Sequence, residues 1–242
     1  MAINIERAPF VTTAAINRPE AMNAINFDVM SRLENLLDEL ESDDDCRLFV
    51  LTGIGSSFIS GGDLREFHTI TSADEAKAMS ERMVSILTRI RNLTCWTLAA
   101  VNGHTYGGGW EIMLSFDFRV AAKSAHFGFT QGRFYLPPGW GGIGALFDAV
   151  GRSTGLYWLA SQRVINSETA LKNGLIQDVF EDEEFQSQLN ALKKRLALND
   201  RTFIEHLKQP DPDIDDEIEP FSQFWEDKEH TKRVEQFLNR KK

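Results

Sequence analysis

The residues best suited to chemistry lie at positions 103–111, which read G-H-T-Y-G-G-G-W-E. Three consecutive glycines remove every Cβ from this turn, so a ligand can lie against the bare backbone. Apolar runs flank the turn, which predicts a strand, a glycine turn and a helix whose first N–H groups favour negative charge. Glu111 lies three residues after Gly108, over the same face. Backbone donors beside one carboxylate suit a reaction whose intermediate carries charge on an oxygen.

A second glycine turn lies at residues 56–64, S-S-F-I-S-G-G-D-L, where Gly61 and Gly62 precede Asp63. The two turns could each present one backbone N–H to a single oxygen. A structural alternative exists, because glycine-rich turns also form where a helix packs closely on a strand. Glu111 favours the functional interpretation, since a carboxylate inside an apolar segment is costly without a role or a partner.

The elements that position these turns follow from the spacing of apolar residues. The predicted order is strands at 3–5 and 10–16, a helix at 27–40, a strand at 47–52, a helix at 76–93, and strands at 95–102, 116–122 and 125–129. Strands separated by helices indicate an α/β fold of repeated strand-and-helix units. Helices dominate from Pro138, with a break at 210–216. The aromatic segment 221–238 is expected to pack on a second subunit or over a ligand.

Composition narrows the class of protein. The 242 residues, 42% of them hydrophobic, suit one large domain or a domain with a small appendage. A net charge of −10 argues against nucleic-acid binding, and residues 240–242 are a short basic tail. No apolar run reaches membrane-spanning length, and residues 1–7 lack the apolar core of a signal peptide. Cys46 and Cys95 show no metal or disulfide spacing, so we interpret them as buried thiols of a soluble cytoplasmic protein.

Five stretches occur together in a recognisable order. They are I-N-R-P-E-A-M-N-A-I (16–25), S-F-I-S-G-G-D-L-R-E (57–66), A-A-V-N-G-H-T-Y-G-G-G-W-E (99–111), F-D-F-R-V-A (116–121) and P-G-W-G-G (138–142). In this order and spacing the sequence resembles the crotonase superfamily, the enoyl-CoA hydratase/isomerase group. One such motif would be weak evidence, whereas five in register are strong.

The resemblance implies an α/β fold built as a crotonase-like spiral of ββα repeats. It implies an acyl-CoA site within residues 1–195 and a C-terminal helical region at 196–242 that packs at a trimer interface. The expected partner is an acyl-CoA substrate, with coenzyme A as part of the substrate and no further cofactor or metal. A homotrimer or a dimer of trimers is expected, with no nucleic-acid or membrane partner.

The resemblance also implies roles for individual residues. Carried over by position, the oxyanion hole would be the N–H groups of Gly62 and Gly108, and Glu111 falls on the first catalytic glutamate of the hydratases. The coenzyme A cradle, formed largely by backbone, falls on Ala21, Met22, Ser60, Asp63 and Leu64. Two donors aimed at an enolate oxygen stabilise the transition state more than the neutral carbonyl.

The sequence departs from the family at three positions. Gln131 stands where hydratases carry a second glutamate, and an amide cannot shuttle a proton near pH 7. Tyr135 replaces the usual loop glycine, which predicts a reshaped acyl pocket. Trp140 lies in a loop that usually reads P-G-A-G-G and is similar to some decarboxylating members. With Glu111 as the remaining acid/base, we expect double-bond isomerisation or decarboxylation through an enolate rather than simple hydration.

Other interpretations carry less weight. An ordinary hydratase or a non-catalytic acyl-CoA-binding relative remains the alternative to an isomerase or decarboxylase. Residues 139–144 fit G-x-G-x-x-G, but no strand precedes them, as a dinucleotide site requires. Residues 151–155 fit a nucleophile elbow around Ser153, yet helically spaced residues precede it instead of a strand. His68 follows the first glycine turn and could contact substrate, although a loop position is the simpler interpretation.

Overall fold

The computed structural model describes residues 1–209 and 213–239. The predicted basic tail at 240–242 and the start of the predicted break at 210–216 lie outside the described residues. The rest of that break, from Ile214, belongs to a helix. The chain divides into two compact units, Met1–Arg201 and Thr202–Lys242. The domain boundary expected at residues 195 and 196 stays a prediction.

The first unit contains a larger and a smaller β-sheet. The larger sheet has the strand order β1-β2-β3-β5-β7-β10, and the smaller has β4-β6-β8-β9. The larger comprises β1 (Ile3–Ala8), β2 (Val11–Ile16), β3 (Leu48–Gly53), β5 (Trp96–Val101), β7 (Phe118–Ala122) and β10 (Asp178–Phe180). The smaller comprises β4 (Ser57–Ile59), β6 (His104–Tyr106), β8 (His126–Gly128) and β9 (Val164–Asn166). The β1–β2 and β8–β9 pairs are antiparallel, and the other neighbours are parallel.

Helices follow the strands along the chain. They are α1 (Phe27–Ser42), α2 (Leu64–Phe67), α3 (Ala73–Asn92), α4 (Gly108–Met113), α5 (Gly142–Val150), α6 (Arg152–Ala160), α7 (Ser167–Lys172), α8 (Phe185–Leu196), α9 (Arg201–Leu207), α10 (Ile214–Glu226) and α11 (Lys228–Asn239). Local sequence sets the start of the long helices. The Asn26 side chain accepts the Val29 N–H to cap α1, and Ser72 with Glu75 forms a capping box on α3.

Side-chain alternation buries the central strands of the larger sheet on both faces, whereas the edge strand β1 is mostly exposed. In β3, Phe49 and Leu51 face one apolar core, while Leu48 and Val50 face a second. Successive side chains of a strand point to opposite faces, so an unbroken apolar run predicts this double burial. The first core includes residues of α1 and α3, and the second includes Leu189 of α8.

The strands repeat a ββα pattern. The pairs β3–β4, β5–β6 and β7–β8 each send their first strand to the larger sheet and their second to the smaller. Helices α2 and α3 follow the first pair, and α4 follows the second. The prediction of an α/β spiral of ββα repeats is therefore confirmed. Among the described residues, no helix is long and apolar enough to cross a membrane.

The sequence analysis misplaced several short elements. The turn predicted at 103–111 contains the strand β6, and α4 ends at Met113 although apolar residues continue to Phe116. Strands β9 and β10 were not predicted, because three residues are too few to show an alternating pattern.

The second unit is helical over its described residues. Within it, Phe203 and Phe224 pack edge to face with 5.3 Å between ring centroids. Phe221, Trp225 and Phe237 are exposed large apolar side chains. The trimer contact expected from residues 221–238 stays a prediction.

Gly109 offers a direct test of the packing at the glycine turn. A Cβ at this position would overlap the carbonyl oxygen of Ile59, whereas a Cβ at Gly144 in α5 meets nothing within 4 Å. We expect Gly109→Ala to lower the free energy of unfolding by about 2 kcal/mol or more. The matched variant Gly144→Ala should instead raise it by about 0.5 kcal/mol or more. Urea unfolding measures both, and equal effects would contradict this packing.

Candidate active site

The two glycine turns lie side by side, backbone against backbone. Gly61 has a φ of +100°, a conformation that side chains rarely adopt. A Cβ on Gly61 would lie 3.0 Å from the backbone nitrogen of Gly108 and 3.2 Å from the carbonyl oxygen of Tyr106. The glycines therefore serve close approach of the two turns, which brings residues distant in sequence to one point.

The N–H groups of Gly62 and Gly108 have no acceptor among the described residues. Ile25 donates its N–H to Gly61 O at 2.8 Å, and Asp63 donates to Ile25 O at 2.8 Å. This parallel bridge uses the groups on either side of Gly62, so the N–H of Gly62 points away from Ile25. Gly108 is the first residue of α4, where an N–H lacks an intrahelical partner.

Both glycines line a cavity of about 610 Å³, a volume typical of small-molecule sites. Its walls are mostly apolar and come from α2, α3 and the segment 134–140. The apolar lining residues are Leu64, Phe67, Ile70, Ala76, Met79, Phe134, Leu136, Pro137 and Trp140. The polar lining side chains are Ser60, His68, Ser80, Glu111, Thr130 and Gln131. The cavity thus brings Glu111 and Gln131 together with the two free backbone donors.

Glu111 lies in the first turn of α4 and is buried, with 2% of its surface exposed. Its Oε2 accepts the backbone N–H groups of Trp140, at 2.9 Å, and Gly142, at 3.1 Å. Its Oε1 accepts from Gln131 Nε2 at 3.2 Å. Burial raises the pKa of the Glu111 carboxyl above its ordinary value of 4.5, although these hydrogen bonds oppose the rise. A carboxylate with a raised pKa is a better general base.

Gln131 begins a short 3-10 turn, Gln131–Phe134, opposite Glu111. The indole Nε1 of Trp110 donates to Gln131 Oε1 at 3.2 Å. The amide therefore connects Trp110 to Glu111. Gln131 lines the cavity, and its catalytic role stays a prediction. Trp110 was not predicted as a site residue, because its pattern is that of a buried helical residue.

Trp140 forms the cavity wall next to Gly62 and Gly108. A Cβ on Gly108 would overlap the six-membered ring of Trp140, and a Cβ on Gly62 would lie 3.6 Å from Trp140 Cζ2. The glycines therefore also make room for this indole ring. The predicted binding residue Trp140 lies in the cavity and contributes its backbone N–H to Glu111 as well.

The residues expected to cradle coenzyme A lie in adjacent loops. Ser60 donates its N–H to Met22 O at 3.2 Å and its hydroxyl to Ala21 O at 3.3 Å. Leu64 is exposed and lines the cavity. The loop of Ala21 and Met22 is thus joined to the first glycine turn, as a shared binding surface requires.

Asp63 has a structural position. Its carboxylate accepts the Arg65 N–H at 3.0 Å, which caps α2, and pairs with Arg18 at 2.7 Å. Burial opposes its ionisation, but the bond to Arg18 and the backbone amides outweigh this and hold the pKa of Asp63 below its ordinary value. The Asp63 side chain fixes the glycine turn and does not line the cavity.

Tyr135 is almost fully exposed and does not line the cavity. Its φ of +55° is left-handed, a conformation that glycine adopts without strain and that points this side chain outward. The flanking residues Phe134 and Leu136 line the cavity, and a role of Tyr135 in shaping the acyl pocket stays a prediction. Among the described residues, no cluster of three or more His, Cys, Asp or Glu is arranged for a metal ion.

Known proteins resemble this chain in sequence and in fold. The family model for enoyl-CoA hydratase/isomerase matches residues 7–213. A short-chain-enoyl-CoA hydratase from Clostridium acetobutylicum is 30% identical over 206 residues, which cover 85% of this chain and 78% of that protein. The crystal structure of an enoyl-CoA hydratase from Bacillus anthracis aligns with a TM-score of 0.91 at 23% identity, covering 99% of this chain and 97% of that one.

A third relative carries a different activity in its name. An ethylmalonyl-CoA decarboxylase from Xenopus laevis is 30% identical over 174 residues, which cover 72% of this chain and 58% of that protein. The chain belongs to the enoyl-CoA hydratase/isomerase family of the crotonase superfamily. It has the crotonase fold, and acyl-CoA chemistry is the chemistry of that family.

Proposed function

We propose that this protein forms an enolate from an acyl-CoA thioester and uses it for a one-base shift of a double bond, from 3-enoyl-CoA to 2-enoyl-CoA. The observation that carries the proposal is the environment of Glu111. Among the described residues that line the cavity, Glu111 is the one carboxylate; it is buried near the N–H groups of Gly62 and Gly108, and the facing position holds the neutral amide of Gln131.

The proposed reaction uses Glu111 twice, first as a base and then as an acid. The thioester oxygen accepts the N–H groups of Gly62 and Gly108. Glu111 takes a proton from C2, and the electron pair of that C–H bond moves towards the thioester oxygen as the enolate forms. Glu111 then returns the proton to C4 while the double bond moves to C2–C3. No atom is gained or lost and nothing is oxidised overall, so the step needs no redox cofactor, and coenzyme A enters as part of the substrate. In this proposal the two backbone N–H groups stabilise the enolate oxygen.

Gln131 makes hydration the weaker candidate. Adding water to a double bond requires one group to deprotonate water and another to protonate carbon. Glu111 can serve as one of them, but the Gln131 amide donates to Glu111 and cannot exchange a proton at neutral pH. Two relatives are named as hydratases, but their names describe those proteins and do not assign hydration to this chain.

Decarboxylation is the second candidate. It is favoured by the decarboxylase relative and by the neutral Gln131, which does not repel a substrate carboxylate. Losing carbon dioxide breaks the C2–carboxylate bond and leaves an enolate on the same thioester oxygen, and the protonated form of Glu111 would then give its proton to C2. Among the described residues that line the cavity there is no Arg or Lys to pair with such a carboxylate, so we place isomerisation first. The trimeric assembly and the cytoplasmic location stay predictions.

Replacing the proposed base tests the mechanism. We expect Glu111→Gln to lower kcat for 3-enoyl-CoA isomerisation by about a thousandfold while KM changes little, because the base acts in the transition state. Wild-type kcat/KM should fall on the acid side as Glu111 becomes protonated, at a pH above 4.5 because its pKa is raised.

Parallel assays with crotonyl-CoA and ethylmalonyl-CoA compare isomerisation with hydration and decarboxylation. Tight coenzyme A binding without turnover of any thioester would favour a non-catalytic relative.

Gln131→Glu separates the reaction classes. The new carboxylate would face Glu111, so one of the pair would become protonated and the native reaction should fall about tenfold or more. Gln131→Met is the matched control, since it removes the amide without adding charge. We expect only a small gain in crotonyl-CoA hydration from Gln131→Glu. A gain of about a hundredfold, with no loss of isomerisation, would show that the protein is a hydratase weakened by one substitution.

A further inference from the structure

Trp110 is buried directly behind the reacting groups. Its ring has no exposed surface and packs on Phe129 at 5.3 Å between centroids, and Phe129 packs on Trp158 at 5.1 Å. Its Nε1 lies 3.2 Å from Gln131 Oε1. An indole nitrogen donates hydrogen bonds and does not accept them, so it selects the oxygen of a neighbouring amide.

The selection decides what Glu111 faces. A glutamine amide has one end that donates and one that accepts, and the ends exchange places when the amide rotates by half a turn. With Oε1 held by Trp110, the NH₂ group of Gln131 faces Glu111 Oε1 at 3.2 Å. The reversed amide would place its oxygen against the carboxylate and favour the protonated acid.

The remaining partners of Glu111 are donors too. Oε2 accepts the backbone N–H groups of Trp140 and Gly142, which cannot change roles. Of these three partners of Glu111, only the Gln131 side chain can therefore turn an acceptor towards the carboxylate. When its NH₂ group faces Glu111, all three partners donate, which suits an ionised carboxylate. On the elements packed against α4, the titratable side chains are His104 and Tyr106 of β6 and Asp148 of α5. The described hydrogen bonds of Glu111 include none of them, and His68 is the other titratable group lining the cavity.

We propose that Trp110 is a positioning residue for the acyl-CoA reaction. Its indole N–H holds the Gln131 amide with the NH₂ group towards Glu111, and so keeps Glu111 as an oriented carboxylate base. The inference rests on the proposed role of Glu111, but the Trp110–Gln131–Glu111 chain exists without substrate. It can therefore be tested separately from the reaction.

The kinetic test compares Trp110→Phe with Trp158→Phe, each in the native protein and in Gln131→Met. Both changes reduce a buried indole to a phenyl ring in the same aromatic stack, but only the first removes the donor to Gln131. We expect Trp110→Phe to lower kcat roughly tenfold or more, with KM changed less, because the base is misplaced. The acid limb of its kcat/KM profile should move to higher pH, and Trp158→Phe should leave that limb in place.

The double variant shows whether the loss of activity in Trp110→Phe is transmitted through Gln131. If Trp110 acts through Gln131, Trp110→Phe should add little to the loss already present in Gln131→Met. Fully additive losses, or an acid limb that moves equally in Trp158→Phe, would overturn the proposal.

Two measurements need no substrate. In protein with isotope-labelled tryptophan, the Trp110 indole N–H should exchange with solvent at least about tenfold faster in Gln131→Met, while the Trp158 signal stays unchanged. In protein with labelled glutamate, the Glu111 carboxyl should titrate at higher pH in Trp110→Phe. Both results would stand even if no acyl-CoA were turned over, and the first would stand if Trp110→Phe did not fold. An indole exchange rate unaffected by Gln131→Met would overturn the proposal.

Discussion

The active site depends on the burial of one carboxylate. Removing a carboxylate from water costs several kcal/mol unless hydrogen-bond donors replace the lost hydration. Glu111 receives such donors from Trp140, Gly142 and Gln131, which are 29, 31 and 20 residues further along the chain. The start of α5 and the turn at Gln131 must therefore both reach α4. The start of α5 approaches so closely that a Cβ on Gly142 would lie 2.7 Å from Glu111 Cγ. The balance leaves Glu111 ionisable but with a raised pKa, as a general base requires.

Close backbone approach is the second condition of the site. The spiral places β4 beside β6, so the turns that follow these strands meet at the same edge. Glycine at positions 61 and 109 lets the turns touch, and glycine at 62 and 108 leaves room for the rings of Phe67 and Trp140. The sheet register thus determines where the N–H groups of Gly62 and Gly108 lie, while the glycines determine how near a ligand can come to them.

Local sequence was sufficient to predict the parts of the site that depend on residue type. The glycine turns of Gly62 and Gly108 and the carboxylate of Glu111 are visible in a few consecutive letters, whereas Gln131 was singled out by its position in the family pattern; all four line the cavity. The outward direction of the Tyr135 side chain could not be predicted, because it depends on a left-handed φ that the letters do not show. Trp110 was missed because its role depends on an amide 21 residues away, and Met79 because a helical face does not reveal what it packs against.

In the proposed reaction, Glu111 alone moves a proton from C2 of the 3-enoyl-CoA to C4 of the enolate that this removal forms. The most direct measurement uses a 3-enoyl-CoA with deuterium at C2 and determines by mass spectrometry where that deuterium lies in the product. A buried carboxylate that holds the isotope between the two half-reactions should transfer part of it to C4, and Glu111→Gln should abolish the transfer. A product carrying a hydroxyl from water at C3, with no deuterium at C4, would contradict the account.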